Sequence, residues 1–135
     1  MTLAEAVRTR LLETHRPTLE RALSCADAVA AGWDGETTTD RAAVVDRYRT
    51  VLREADALDP LVAALVDAVE SAGGDLAAAP VADVPYLAVT GRGVVLRGTL
   101  VAGGRIVATL GAFEVAPYRR GPALPDALAV ERRGR

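Results

Sequence analysis

An α+β fold is what the sequence predicts: four N-terminal helices followed by a three- or four-stranded antiparallel β-meander. Three observations carry this expectation. Apolar residues recur at helical spacing from Leu3 to Ala72, punctuated by helix start and stop signals. After residue 85 the pattern changes to runs rich in Val, Leu and Thr, separated by glycine. The 135 residues, half of them apolar and a quarter charged, suit one folded domain able to build its own core. The expected division is a helical half at 1–74, a connector at 75–84, and a β-meander with a basic C-terminal segment at 85–135.

Each element follows from local chemistry. Thr2-Leu3-Ala4-Glu5 has the spacing of a capping box, so helix one begins almost at the N-terminus. It buries Leu3, Val7 and Leu11 and ends near Thr14 or His15. Pro17 lacks the amide that a continuing helix needs, so it either starts a second helix or kinks a single long one. Leu19, Ala22, Leu23, Ala26 and Ala30 then keep helical spacing until Gly32. Thr37-Thr38-Thr39-Asp40 offers side-chain oxygens to cap helix three, whose inner face is Val44, Tyr48, Val51, Leu52 and Ala55. Asp59-Pro60 starts helix four and Gly73-Gly74 stops it. Val62 and Val66 widen its apolar stripe of Leu61, Ala64, Leu65, Ala68 and Val69, which makes it the central helix.

Strands are expected at 86–90, 94–102 and 105–115, with a short fourth at 127–131. Gly103-Gly104 predicts a two-residue hairpin turn that pairs Ala102 with Arg105. In that register Val94, Leu96, Gly98 and Leu100 share a face with Val107, Thr109, Gly111 and Phe113. Val95, Val101, Ile106, Ala108 and Leu110 fall on the other. Both faces are apolar, and one of them is expected to be an interface.

Few residues carry chemistry. His15 is the single histidine, which rules out a histidine-rich metal site within one chain; beside a helix break it reads as a solvent-facing or end-capping residue. Cys25 is the single cysteine, so no disulfide forms within one chain, and it reads as an inert, partly buried thiol. Gly91 and Gly93 precede a β-forming run where a phosphate cradle needs a helix N-terminus, so tight turning accounts for them. Asp34, Glu36 and Asp40 surround one loop, and Glu54, Asp56 and Asp59 another. Magnesium needs only one or two carboxylates, so a divalent-metal enzyme stands as one alternative, although capping and solvation explain most of these groups. No catalytic residue, metal ligand or cofactor is assigned.

Charge divides the chain. Residues 1–75 hold 14 acidic groups against 8 arginines, whereas residues 76–135 hold 4 against 8. The basic residues Arg119, Arg120, Arg132, Arg133 and Arg135 are candidate contacts for an acidic partner, nucleic acid included, although docking on the acidic helices is the first expectation. Trp33, Val95, Val101, Ile106 and Leu110 are candidates for a protein interface, while Trp33 also suits the closed end of a helical core. No run approaches the roughly 18 apolar residues of a membrane span, and Glu5, Arg8 and Arg10 do not suit a signal peptide, so a cytoplasmic location is expected.

The function expected from this is a non-enzymatic association domain that forms a homodimer through its sheet, with a nucleic-acid-associated role as the alternative. The order of a helical half containing Gly32-Trp33-Asp34-Gly35 and then the run Val-Pro-Tyr-Leu-Ala-Val-Thr-Gly-Arg-Gly-Val-Val-Leu-Arg at 84–97 resembles a family of small uncharacterised haloarchaeal proteins. The resemblance covers most of the chain and implies no known activity and no site residue.

Overall fold

The computed structural model describes residues 1–134. Its helices are α1 (Leu3–Thr14), α2 (Arg16–Ala31), α3 (Val45–Glu54) and α4 (Leu58–Ser71). Its strands are β1 (Thr37–Thr38), β2 (Leu87–Thr90), β3 (Gly93–Thr99), β4 (Arg105–Leu110), β5 (Phe113–Glu114), β6 (Tyr118–Arg120) and β7 (Leu128–Arg133).

The capping box at the start of α1 is present. Thr2 Oγ1 accepts from the Glu5 amide at 3.1 Å, and Glu5 Oε2 accepts from the Thr2 amide at 3.3 Å. Pro17 lies in the first turn of α2, so it starts a second helix, and the break falls on His15. The threonine run does not cap α3. Thr37 and Thr38 instead pair with Arg119 and Tyr118, which places strand β1 between two helices. Threonine suits a strand as well as a cap, and a pairing partner about eighty residues away overrides the local preference. α4 ends as its glycines predict: Gly73 has φ +90 and the Gly74 amide donates to the Val69 carbonyl at 2.9 Å.

β2, β3, β4 and β7 form an antiparallel sheet in that order, and β1, β6 and β5 form a smaller one. The hairpin register differs from the two-residue expectation. Thr99, three residues earlier than Ala102, stands opposite Arg105, and residues 100–104 form a loop closed by the Leu100 amide on the Gly104 carbonyl at 3.0 Å. An odd displacement exchanges the faces. Ile106, Ala108 and Leu110 therefore join Val94, Leu96 and Gly98 on the helix side, with Leu87, Val89 and Leu128. This register buries every Val, Leu and Ile of that set, each worth about 1.5–3 kcal/mol. Leu76 adds a bridge to Leu100 and approaches Gly98 closely.

α1, α3 and α4 pack on β7, β2 and β3 respectively, and α2 packs on the other three helices. Arg8 ties α1 to the last strand by donating to the Leu128 and Pro125 carbonyls at 3.0 and 2.9 Å. Three of the five aromatic residues gather between the helices and the small sheet. Phe113 meets Tyr48 edge-on at 5.2 Å and Trp33 at 5.9 Å, while the Tyr48 hydroxyl donates to the Ala22 carbonyl at 2.8 Å. Burial holds the Tyr48 phenol in its protonated, donating form by raising its pKa.

Candidate association surface

Alternation along the strands puts the remaining side chains on the side of the sheet away from the helices. Ala88, Val95, Thr109 and Ala129 form one row across it; Arg97, Val107 and Glu131 form the next; Thr99, Arg105 and Arg133 form the last. Tyr86 continues β2 beside Arg97, whose amide donates to its carbonyl at 2.8 Å. Arg97, Thr99, Arg105, Ala129, Glu131 and Arg133 are exposed, and Ala88, Val95 and Thr109 are half-buried. Val107 alone is buried there, at 2 % exposure, and it lies outside the main core cluster. Arg97 and Glu131 flank it directly, and the aliphatic stems of such long side chains cover apolar surface.

The face is net basic. Arg133 pairs with Glu131, while Arg97 and Arg105 make no ion pair among the described residues. These two arginines were the part of the surface that a reading by sequence clusters overlooks, because they lie apart in the chain. The correct strand parity brings them together.

The candidate contacts named from sequence are scattered. Arg119 is exposed on β6, opposite Thr37 and Glu114. Arg120 is a tie within the fold: its Nε sits 2.7 Å from Asp27 Oδ1, its guanidinium also donates to the Ala112 carbonyl, and it lies 6.0 Å above the Phe113 ring. Arg132 falls on the helix side of the sheet and donates to the Gly103 carbonyl at 3.1 Å, whereas Arg133 joins the open face. Arg135 lies outside the described residues.

The protein-interface candidates divide too. Val95 sits at the middle of the open face, and Val101 is exposed on the hairpin loop. Ile106 and Leu110 are corrected: both are buried against the helices because the register places them on the inner face. Trp33 is half-buried, packed on Phe113 with its Nε1 donating to the Ala43 carbonyl at 3.2 Å, so it closes the core.

Two other features bear on chemistry. His15 is the end-capping residue between α1 and α2, its amide donating to the Leu11 carbonyl, but its ring is not solvent-facing: Nε2 lies 2.5 Å from Asp67 Oδ2 and joins the α1–α2 break to α4. Arg10 grips the same carboxylate with Nε at 3.0 Å, and the Ser71 hydroxyl donates to it at 3.2 Å. Chiefly the Arg10 hydrogen bond, then that of His15, holds the Asp67 carboxyl down at about 2. A depressed folded pKa contributes stability above the unfolded value near 4 and loses it as pH falls toward 2. With the Asp67 side chain 37 % exposed, solvent screens the effect. Asp67→Asn is therefore expected to flatten the loss of melting temperature between pH 4 and pH 2, which thermal melts across that range will check.

Cys25 is buried, and burial raises its thiol pKa, away from a reactive thiolate. Among the described residues no three His, Cys, Asp or Glu side chains gather as a metal set, while Asp56 and Asp59 line one small hollow together. A hollow of about 490 Å³ beside β6 is lined by Arg119, Arg120, Asp27 and Glu36, so both charge signs meet there.

Helices on one side of an antiparallel sheet, with the other side open, define a two-layer α+β domain. The chain belongs to a family described as a domain of unknown function (DUF7988), whose profile matches residues 5–133. No curated protein and no solved structure matches it. Among the described residues no helix is long and apolar enough to cross a membrane.

Proposed function

We propose that this domain works by association in the cytoplasm and not by catalysis, offering the open face of its four-stranded sheet to a protein partner, in the first place a second copy of itself. The observation that carries this reading is the uncovered face itself, in which Val95 stands in a row with the small residues Ala88, Thr109 and Ala129, bordered by arginines. Four strands at ~4.8 Å spacing and six residues at ~3.3 Å rise make a face of roughly 300 Å². A standard stable interface takes about 800 Å² from each partner, so contact through the face alone belongs to the weak, concentration-dependent class.

Light scattering is expected to give an average mass above that of one chain, rising with concentration. Val95→Glu, a charge at the centre of the face, is expected to return it to one chain. A parent that stays at the mass of one chain at every concentration removes the reading.

A second reading, nucleic acid, draws on Arg97, Arg105 and Arg133 sharing that face. It predicts oligonucleotide binding that weakens steeply with salt, because each neutralised phosphate releases counterions. Binding that is abolished by Arg97→Glu with Arg105→Glu, in a parent that does not self-associate, would favour it.

A further inference from the structure

The side of the molecule opposite the open sheet face carries a complementary surface. On α4, Leu61, Leu65 and Ala68 are buried toward the sheet, where Leu65 reaches within 3.8 Å of the Cβ position of Gly98. At helical spacing the opposite stripe holds Asp59, Ala63, Val66, Asp67 and Glu70. Together with Val62 and the connector residues 80–82, that stripe lines a groove of about 640 Å³. Its floor is apolar and its rim is acidic. Asp67 is engaged by Arg10 and His15, whereas Asp59 and Glu70 make no ion pair among the described residues.

The two surfaces match in chemistry and differ in sign. One presents Val95 and small neighbours bordered by Arg97 and Arg105; the other presents Val66 and Val81 bordered by Asp59 and Glu70, and none of these four charges is paired among the described residues. Sheet against sheet places like charges on one interface, whereas sheet against groove places opposite charges together. We propose that copies of this chain associate head to tail, the basic sheet face of one seating on the acid-rimmed α4 groove of the next. This rests on the open face being the association surface and adds its receptor. Such a contact is heterologous, so a pair of copies keeps one free sheet face and one free groove and the assembly grows without closing at two.

Two charge-reversed variants test it by sedimentation velocity. In the parent, average mass is expected to pass two chains as concentration rises and to fall toward one chain in high salt. Arg97→Glu with Arg105→Glu makes both surfaces acidic, and Asp59→Arg with Glu70→Arg makes both basic; each alone is expected to stay at one chain. An equal mixture is expected to recover parental growth, because every surface of one variant then opposes the other's in charge. Thermal melts check folding, and Ala63→Arg, an exposed site with a good helix former, replaces the second variant if it melts early.

If the groove variant self-associates like the parent, the head-to-tail contact is wrong while association through the sheet stands. If the sheet variant self-associates like the parent, or the parent remains a single chain throughout, both readings fall.

Discussion

Gly93→Ala is expected to lower stability by roughly 2–6 kcal/mol, combining a strained backbone with an overpacked contact. Gly93 opens β3 at φ +142, a conformation that side-chain-bearing residues rarely adopt. A Cβ there would stand 2.0 Å from the Leu110 carbonyl oxygen and 2.8 Å from the Ala112 amide nitrogen. Both neighbours are backbone, so no rotamer change relieves the clash. The carbonyl of the preceding residue, Arg92, also accepts the Phe113 amide at 2.9 Å, which ties this turn to the start of β5. A shift at Gly93 therefore disturbs the main sheet and the path into the small one together. Against a total stability of about 5–15 kcal/mol, a loss near the top of that range leaves little folded protein. Gly35→Ala is the control, since a Cβ there meets nothing within 4 Å, and such surface changes stay within about 0.5 kcal/mol. Denaturant midpoints compare the two, and equal midpoints would show that the β3 backbone does not pass so close to β4.

The helical half was largely legible because its signals are local. Thr2 and Glu5, Pro17, and Gly73 with Gly74 act within a turn of their own positions, and the structure uses each of them at a helix end. What failed to read correctly depends on residues far apart. Thr37 and Thr38 have the composition of a cap, and only β6 makes them a strand. Gly103-Gly104 resembles a tight hairpin turn, yet the bridge from Leu76 to Leu100 and the demand to bury Ile106 and Leu110 together favour the longer loop. That single register difference decided which residues were available to a partner. It moved Ile106 and Leu110 into the core and brought Arg105 onto the open face that Val95 and Arg97 share. The charge division between the halves was visible in sequence, but its use was not. Among the described C-terminal arginines, Arg120 alone forms an ion pair with the helical half, through Asp27.

Leu65→Ala is the second large effect, with an expected cost of about 2–5 kcal/mol from lost burial and a residual cavity. Leu65 is completely buried at the middle of α4 and faces β3 at Gly98, at ordinary contact distance. The sheet beneath it cannot readily collapse into the space that alanine would leave, since β3 is held on both sides by β2 and β4. The cost should therefore lie toward the upper end of the range. Glu70→Ala, one and a half turns further along the same helix but exposed, should change stability by less than about 0.5 kcal/mol. It removes one acidic group from the groove rim without touching the core, so it tests association independently of folding. Denaturant melts of both variants separate the buried stripe of α4 from its exposed one. Equal and small effects would mean that α4 does not present Leu65 to the sheet, and the assignment of its opposite stripe as a surface would fall with it.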